Sequence, residues 1–271
     1  MSSSLIRLVI ADVDGTIVTS AKELTPRTID VVQRLRDSGI RLAVTSSRPP
    51  KGLRMLFEPL DLTTPIAAFN GGLIVDRNLA TLRELMIHDE TVEPVIALLE
   101  SHGLSIWVYQ RTDWFVLDLN GPHVAREAKV CQFEPTQLAN FHGVFADVVK
   151  VVGVSDDPDV IARATAELDR RFGDEVSATS SQSYYLDVTN CDANKGGVVD
   201  FLADRFSLER RQIAAVGDGG NDVSMFDRAG LSVAMGNAAT AVKARAQHVT
   251  SSNDNDGFAK AVEEFVLRDY S

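Results

Sequence analysis

The chain reads as an α/β protein: a parallel-sheet core assembled from both ends of the sequence, with an α+β domain inserted in the middle. Three observations predict this. Short runs rich in Ile, Leu, Val and Ala at residues 5–11, 40–44, 65–69 and 213–216 each stop at a polar cluster, as strands buried on both faces do. Helical periodicity alternates with those runs in the first and last thirds, which calls for right-handed βαβ crossovers. Between residues 84 and 188 the pattern changes to strand pairs joined by short turns, the mark of an antiparallel sheet.

Each element follows from its residues. The first strand covers 5–11 and ends at Asp12. Thr25 caps a helix that opens on Pro26, because a threonine hydroxyl takes an orphan N–H and the fixed φ of proline suits the first turn. Ile29, Val31, Val32 and Leu35 make its apolar face, and Gly39 closes it. Strands follow at 40–44 and 65–69, the latter stopped by Asn70-Gly71-Gly72, with 73–75 after it. In the middle third, helices are expected over 90–102, 124–130 and 157–172. Strands are expected at 105–109, 114–119, 148–154, 175–180 and 184–188. The alternation then resumes with helix 197–206, strand 213–216, helix 222–229, strand 231–234, a helix capped by Asn237, strand 248–250 and helix 257–267. The expected division is a core of residues 1–83 and 189–271 around an insertion of 84–188.

At roughly 100–200 residues per domain, 271 residues suit one large domain or two modest ones. A composition of 45% hydrophobic and 24% charged residues excludes a largely disordered chain. Lys plus Arg total 27 against 38 Asp plus Glu, a net charge of −11. Such a surface repels phosphodiester backbones and anionic membranes, so neither nucleic acid nor membrane is an expected partner. An anionic substrate would need a local device: a metal ion, a lysine or a helix N-terminus. Cys131 and Cys191 fit no CxxC or zinc-ligand spacing and read as free thiols of a reducing compartment. Arg7 interrupts the opening apolar stretch, which rules out a signal-peptide pattern, and no apolar run reaches the ~20 residues of a membrane span. The expectation is a soluble cytoplasmic protein, with oligomeric state left open.

In open parallel sheets, ligands bind beyond the carboxyl ends of the strands. The first strand delivers Asp12-Val13-Asp14-Gly15-Thr16, the second delivers Ser46-Ser47-Arg48, and the strand at 213–216 delivers Gly217-Asp218-Gly219-Gly220-Asn221-Asp222. Two strand ends thus carry clustered carboxylates, which are costly when buried and unpaired. Hard oxygen ligands on a partly solvated rim suit Mg2+. Plainer uses exist for each group: Asp-Gly is a turn signal, Ser46, Ser47, Asn221 and Asp222 can cap helices, and Lys195 can be a solvated lysine. Their convergence on one sheet edge favours chemistry. In the insertion, Trp107, Tyr109, Arg111, Trp114, Tyr184 and Tyr185 could face a ligand, although alternating strand aromatics more often pack a sheet. His123 and His142 read as solvated loop residues.

DVDGT at 12–16, SSRP at 46–49, NGGLIVD at 70–76, Lys195-Gly196, GDGGNDVSMF at 217–226 and VTSSNDNDG at 249–257 form an ordered set. The set resembles the haloacid dehalogenase superfamily of aspartate-nucleophile phosphatases, and the insertion resembles the class IIB cap of its Cof-type branch. The resemblance implies a Rossmann-like core in which Asp12 is the nucleophile, forming an aspartyl phosphate, and Asp14 is the acid and base. It implies Mg2+ held by Asp12, the backbone carbonyl of Asp14, and Asp218, with Asp222 in support. It implies that Ser46, the Val13 and Ser47 backbones, Lys195 and Asn221 hold phosphoryl oxygens, with Arg48, Asn70 and Gly71 beside the substrate. Two positions depart from the family pattern. Ser46-Ser47-Arg48 stands where Thr-Gly-Arg is usual, which keeps the hydroxyl but narrows the approach at 47. Gly220 stands where an acid is usual.

The expected activity is therefore Mg2+-dependent hydrolysis of a phosphorylated metabolite, a small soluble one because closure of a cap must exclude bulk water, and first of all a sugar phosphate. A phosphomutase on the same scaffold is the main alternative. A phosphoacceptor module like a response-regulator receiver and a non-catalytic sugar-phosphate sensor are weaker, given the insertion and the full set Asp12, Asp14, Lys195 and Asp218.

Overall fold

The computed structural model describes residues 6–268. The first part of the chain forms β1 (Leu8–Asp12), α1 (Pro26–Asp37), β2 (Arg41–Thr45), β3 (Ile66–Ala68), β4 (Leu73–Val75) and β5 (Thr81–Glu84). The middle forms α2 (Asp89–Ser101), β6 (Ser105–Gln110), β7 (Asp113–Val116), α3 (Val124–Cys131), β8 (Thr136–Gln137), β9 (Val148–Val154), α4 (Pro158–Phe172), β10 (Val176–Gln182) and β11 (Tyr185–Asn190). The last part forms α5 (Lys195–Phe206), β12 (Ile213–Gly217), α6 (Val223–Phe226), β13 (Leu231–Ala234), α7 (Thr240–Lys243), β14 (His248–Val249) and α8 (Gly257–Ala261).

Among the described residues the strands make two sheets. The first has the order β14-β13-β12-β1-β2-β3-β4-β5. It is parallel from β14 to β3 and antiparallel over β4 and β5. The second has the order β10-β11-β9-β6-β7-β8 and is antiparallel except where β7 meets β8. The first sheet thus draws strands from both ends of the chain, the second only from its middle.

Side-chain alternation along β1 builds two layers. Leu8 and Ile10 pack with Val198, Val199 and Leu202 of α5 and with Met225 and Phe226 of α6. Val9 and Ala11 belong to the opposite layer, with Val31, Val32 and Leu35 of α1 and Phe258 of α8. In the second sheet, α2 and α4 cover one face through residues such as Val95, Leu99, Ala164 and Leu168. Its other face carries Trp107, Tyr109, Val152 and Tyr185, which join the apolar cluster of the first sheet. That face is therefore turned toward the core.

Several expectations are corrected. Ile29 is 38% exposed, because α1 rotates Thr28, Val31, Val32 and Leu35 inward instead. Asn237 caps nothing: Ala239 precedes α7, and the Asn237 side chain is used elsewhere. α6 is a single turn, reached through a tight turn at Gly220–Asp222. β1 begins at Leu8, and Leu5 lies outside the described residues. β5 and β8 are additional strands, too polar and short to carry a strand pattern in the sequence. No described helix is long and apolar enough to cross a membrane.

Candidate active site

The register of β1 sets Asp12 opposite Thr45 of β2 and Ala11 opposite Val216 of β12. The acidic loops after β1 and β12 therefore leave the sheet side by side. They approach so closely at Gly15 that only glycine fits: its φ is +80°, and a Cβ there would lie 2.3 Å from Asp218 Oδ2. Carboxylate oxygens of Asp12, Asp218 and Asp222 lie within 4.8 Å of one another.

Lys195 is buried, contrary to its plainer reading. Asn194 caps α5 and makes Lys195 the first helical residue. Its Nζ lies 2.5 Å from Asp12 Oδ1 and 2.6 Å from Asp222 Oδ1. The second oxygen of Asp222 accepts the backbone N–H groups of Asp218 and Gly219, both at 2.8 Å. Asp222 thus fixes the lysine and the loop together. Asn237, which the sequence placed at a helix end, ties three loops: it donates to Gly15 O and Asp218 Oδ2 and accepts from Asn253 N–H.

Burial pushes the Asp12 carboxyl well above its ordinary range; Lys195 opposes this, and the charges of Asp222 and Asp218 add to it. Burial and the Asp222 charge push Asp218 up to about 6. For Lys195, burial works against the charge, but Asp12 and Asp222 outweigh it and hold the ammonium firmly protonated. Two carboxylates thus share one ammonium, with the third, Asp218, beside them. A hard divalent cation such as Mg2+ fits this set, because every donor is an oxygen and negative charge is in excess.

Asp14 lives differently. Arg48 grips it with Nε at 2.6 Å and Nη2 at 2.7 Å, and Lys22 Nζ lies 2.6 Å away. Burial alone would raise the Asp14 carboxyl, but Arg48 and Lys22 outweigh it and hold it at about 2. Ser46 is buried, and its hydroxyl accepts the Arg48 N–H at 3.1 Å. Asn70 accepts from Asn221 Nδ2 at 3.0 Å. Gly71 packs under α5 with φ +98°, where a Cβ would meet Val198 Cγ2 at 2.8 Å and Asn194 O at 3.0 Å. It is not among the residues that line the cavity Asp12 faces.

A cavity of about 640 Å³ separates these groups from the second sheet. Asp12, Asp14, Ser47, Arg48, Asn70, Asp218 and Asn221 face it from one side. Of the aromatics considered from sequence, Trp107, Tyr109, Tyr184 and Tyr185 face it from the other. Trp114 instead stacks behind Tyr109 at 5.8 Å. Arg111 points away and pairs with Glu84 and Asp147. His123 is not free in solvent: it stacks on Tyr184 at 4.0 Å and pairs with Asp156, while His142 is exposed. Lys22, Arg126, Glu127, Lys150 and Asp187 also line the cavity, and none of them stands in the motifs above. One signal was available, the single lysine at 150 inside the run 148–154.

A family model described as haloacid dehalogenase-like hydrolase matches residues 9–262. The chain belongs to that family. This hydrolase is 30% identical, over 95% of its length and 97% of the other's, to a Haemophilus influenzae protein with a provisional phosphatase name. It is 26% identical to the pyridoxal phosphate phosphatase YbhA of Escherichia coli, covering 96% of this chain and 99% of that one. The crystal structure of a haloacid dehalogenase-like hydrolase from Bacteroides thetaiotaomicron superposes with a TM-score of 0.87 at 29% identity, over 95% of this chain and 98% of that one. In this hydrolase, a carboxylate flanked by a metal-suited acid cluster shares one cavity with four cationic side chains, Lys22, Arg48, Arg126 and Lys150. That is the local device an acidic protein needs for an anionic ester.

Proposed function

We propose that the chain is a Mg2+-dependent phosphatase that hydrolyses a small phosphate monoester through an aspartyl phosphate on Asp12. The position of Asp12 carries the reading: it ends the central strand, opens on the cavity, and has Lys195, Asp218 and Asp222 around it. Asp12, the Asp14 carbonyl and Asp218 would hold the ion, with Asp222 fixing the loop. Bound there, the ion supplies positive charge beside the phosphoryl oxygens.

The Asp12 carboxylate attacks phosphorus, the bond from phosphorus to the leaving oxygen breaks, and that oxygen takes a proton from Asp14. Asp14 then takes a proton from water as the water attacks the aspartyl phosphate, which releases inorganic phosphate and restores Asp12. Asp14 must first hold a proton, and Arg48 and Lys22 keep it ionised. An incoming phosphate dianion competes for those cations, and losing either one raises Asp14 toward its ordinary range. The Ser46 hydroxyl, the Val13 and Ser47 N–H groups, Lys195 and Asn221 are the donors for phosphoryl oxygens. Residues 84–188 act as the cap that closes over the ester. The phosphatase names of relatives support the monoester class, and sugar phosphates are the first to test. Cys131 and Cys191 are both unpaired, which agrees with work in a reducing cytoplasm.

Phosphate release from p-nitrophenyl phosphate, a generic monoester, tests the reading. Release should need Mg2+, stop with EDTA, and require no bisphosphate activator. Transfer of labelled phosphoryl to added sugar rather than to water would favour the phosphomutase instead.

A further inference from the structure

We propose that Lys150 and Asp187 form a recognition pair for the leaving group: the preferred ester carries a ring with a hydrogen-bond donor for Asp187 and a neighbouring acceptor for Lys150. The inference rests on the phosphatase reading of Asp12 and adds the substrate class.

Strand register places the pair. Thr189 of β11 lies opposite Lys150 of β9, and Asp187 lies opposite Val152. On the other side of β9, Trp107 of β6 lies opposite Val152 and Tyr109 opposite Lys150. Residues directly opposite one another share a sheet face, so Lys150, Asp187, Trp107 and Tyr109 stand together. All four line the cavity that Asp12 faces.

Their polar atoms are incompletely used. Asp187 is 1% exposed and Lys150 is 6% exposed. Asp187 Oδ1 pairs with Lys150 Nζ at 2.8 Å, while Asp187 Oδ2 has no hydrogen-bond partner among the described residues. Trp107 Nε1 is also buried without an acceptor. Lys150 reaches the loop after β2, donating to Ser47 O at 3.3 Å. A buried carboxylate normally accepts several hydrogen bonds. As packing material an ion pair here is also poor, because apolar residues of the same volume serve as well or better. The unmet Asp187 Oδ2 and Trp107 Nε1 are explained by a ligand that brings a donor to the first and, beside Lys150, an acceptor to the second. Trp107 and Tyr185 meet edge to face at 5.0 Å and give that ligand an aromatic wall, which suits a ring. A sugar ring with adjacent hydroxyls and a planar heterocycle with N–H or O–H groups share this chemistry.

The test compares kcat/KM with Mg2+ for glycerol 3-phosphate, an alkyl monoester with no ring, and for glucose 6-phosphate and pyridoxal 5′-phosphate. Wild type should prefer at least one ring ester to glycerol 3-phosphate, and which one it prefers tells sugar from heterocycle. Asp187→Asn and Lys150→Met should each lower that preference ratio by about tenfold or more, the scale of a hydrogen bond to a charged group. Removing one partner strands a buried charge, so the double variant Asp187→Leu with Lys150→Met, apolar on both sides, is measured as well. It should fold and show the same lowered ratio. A double variant that keeps the wild-type ratio overturns the inference, as does a wild type with no ring preference. If wild type releases no phosphate even from p-nitrophenyl phosphate, the reading of Asp12 falls and takes this inference with it.

Discussion

Asp12 and Asp14 are two residues apart, yet their surroundings push them in opposite directions. Burial and neighbouring acids raise Asp12, while Arg48 and Lys22 hold Asp14 at about 2. Such divergence is how one site keeps distinct roles for like groups. Asp12→Asn is nearly isosteric and should fold, with turnover down at least ~10³-fold, as when a covalent catalytic group is lost. A tenth of wild-type turnover in the purified variant would remove Asp12 as nucleophile. Asp218 makes a stability prediction. Its folded value of about 6 lies above the ordinary 3.8, so the folded state binds the extra proton and metal-free stability falls as pH rises from 3.8 to 6. Metal-free Asp218→Asn should therefore melt above wild type at pH 7.5, with the gap closing by pH 4. Asp14 has the opposite sign: its depressed value contributes stability above 3.8 that is lost as pH falls toward 2. Thermal melts in EDTA across this range check both.

At the scale of elements, the loops after strands do more than carry ligands. Gly71 follows β3 in a left-handed conformation with Val198 and Asn194 against it, next to the residue that starts α5 with Lys195. Gly71→Ala should cost about 2 kcal/mol, from backbone strain and the clash together, and lower Tm by several degrees. A variant as stable as wild type but with a raised KM would return Gly71 to the substrate. The capping of α1 by Thr25 and Pro26, the run of β9 and the antiparallel pairing of β6 with β7 were all legible, because periodicity and end signals are local. Ile29 misled for the same reason: an apolar residue at helical spacing says nothing about where the buried stripe is centred.

Across the whole molecule, the acid cluster joins distant parts of the chain. Asp12 comes from the first strand and Asp218 from beyond β12, and the β1–β12 pairing brings them together. A cation bound there bridges the two halves of the core and should stabilise the fold by mass action. Its ligands must be deprotonated, and Asp12 and Asp218 are both raised. Millimolar Mg2+ should therefore raise Tm clearly at pH 7.5 and much less at pH 5. Equal shifts at both pH values would place the ion elsewhere. The net charge of −11 also meets its counterweight at this scale, in the cationic residues that line the cavity.

From the sequence alone came the strand ends that carry acids, the split between a core built from both chain ends and a middle α+β region, and the family. These depend on local pattern: apolar runs, turn residues and short motifs that report one segment at a time. Tertiary structure alone decided the partners. Lys22 lands on Asp14, Asn237 braces Gly15, Asp218 and Asn253, Lys150 meets Asp187, and Gly71 goes to packing. Periodicity states that a side chain is buried, but strand register and helix placement between remote segments choose what it is buried against, and that choice sets its charge, its hydrogen bonds and its chemistry.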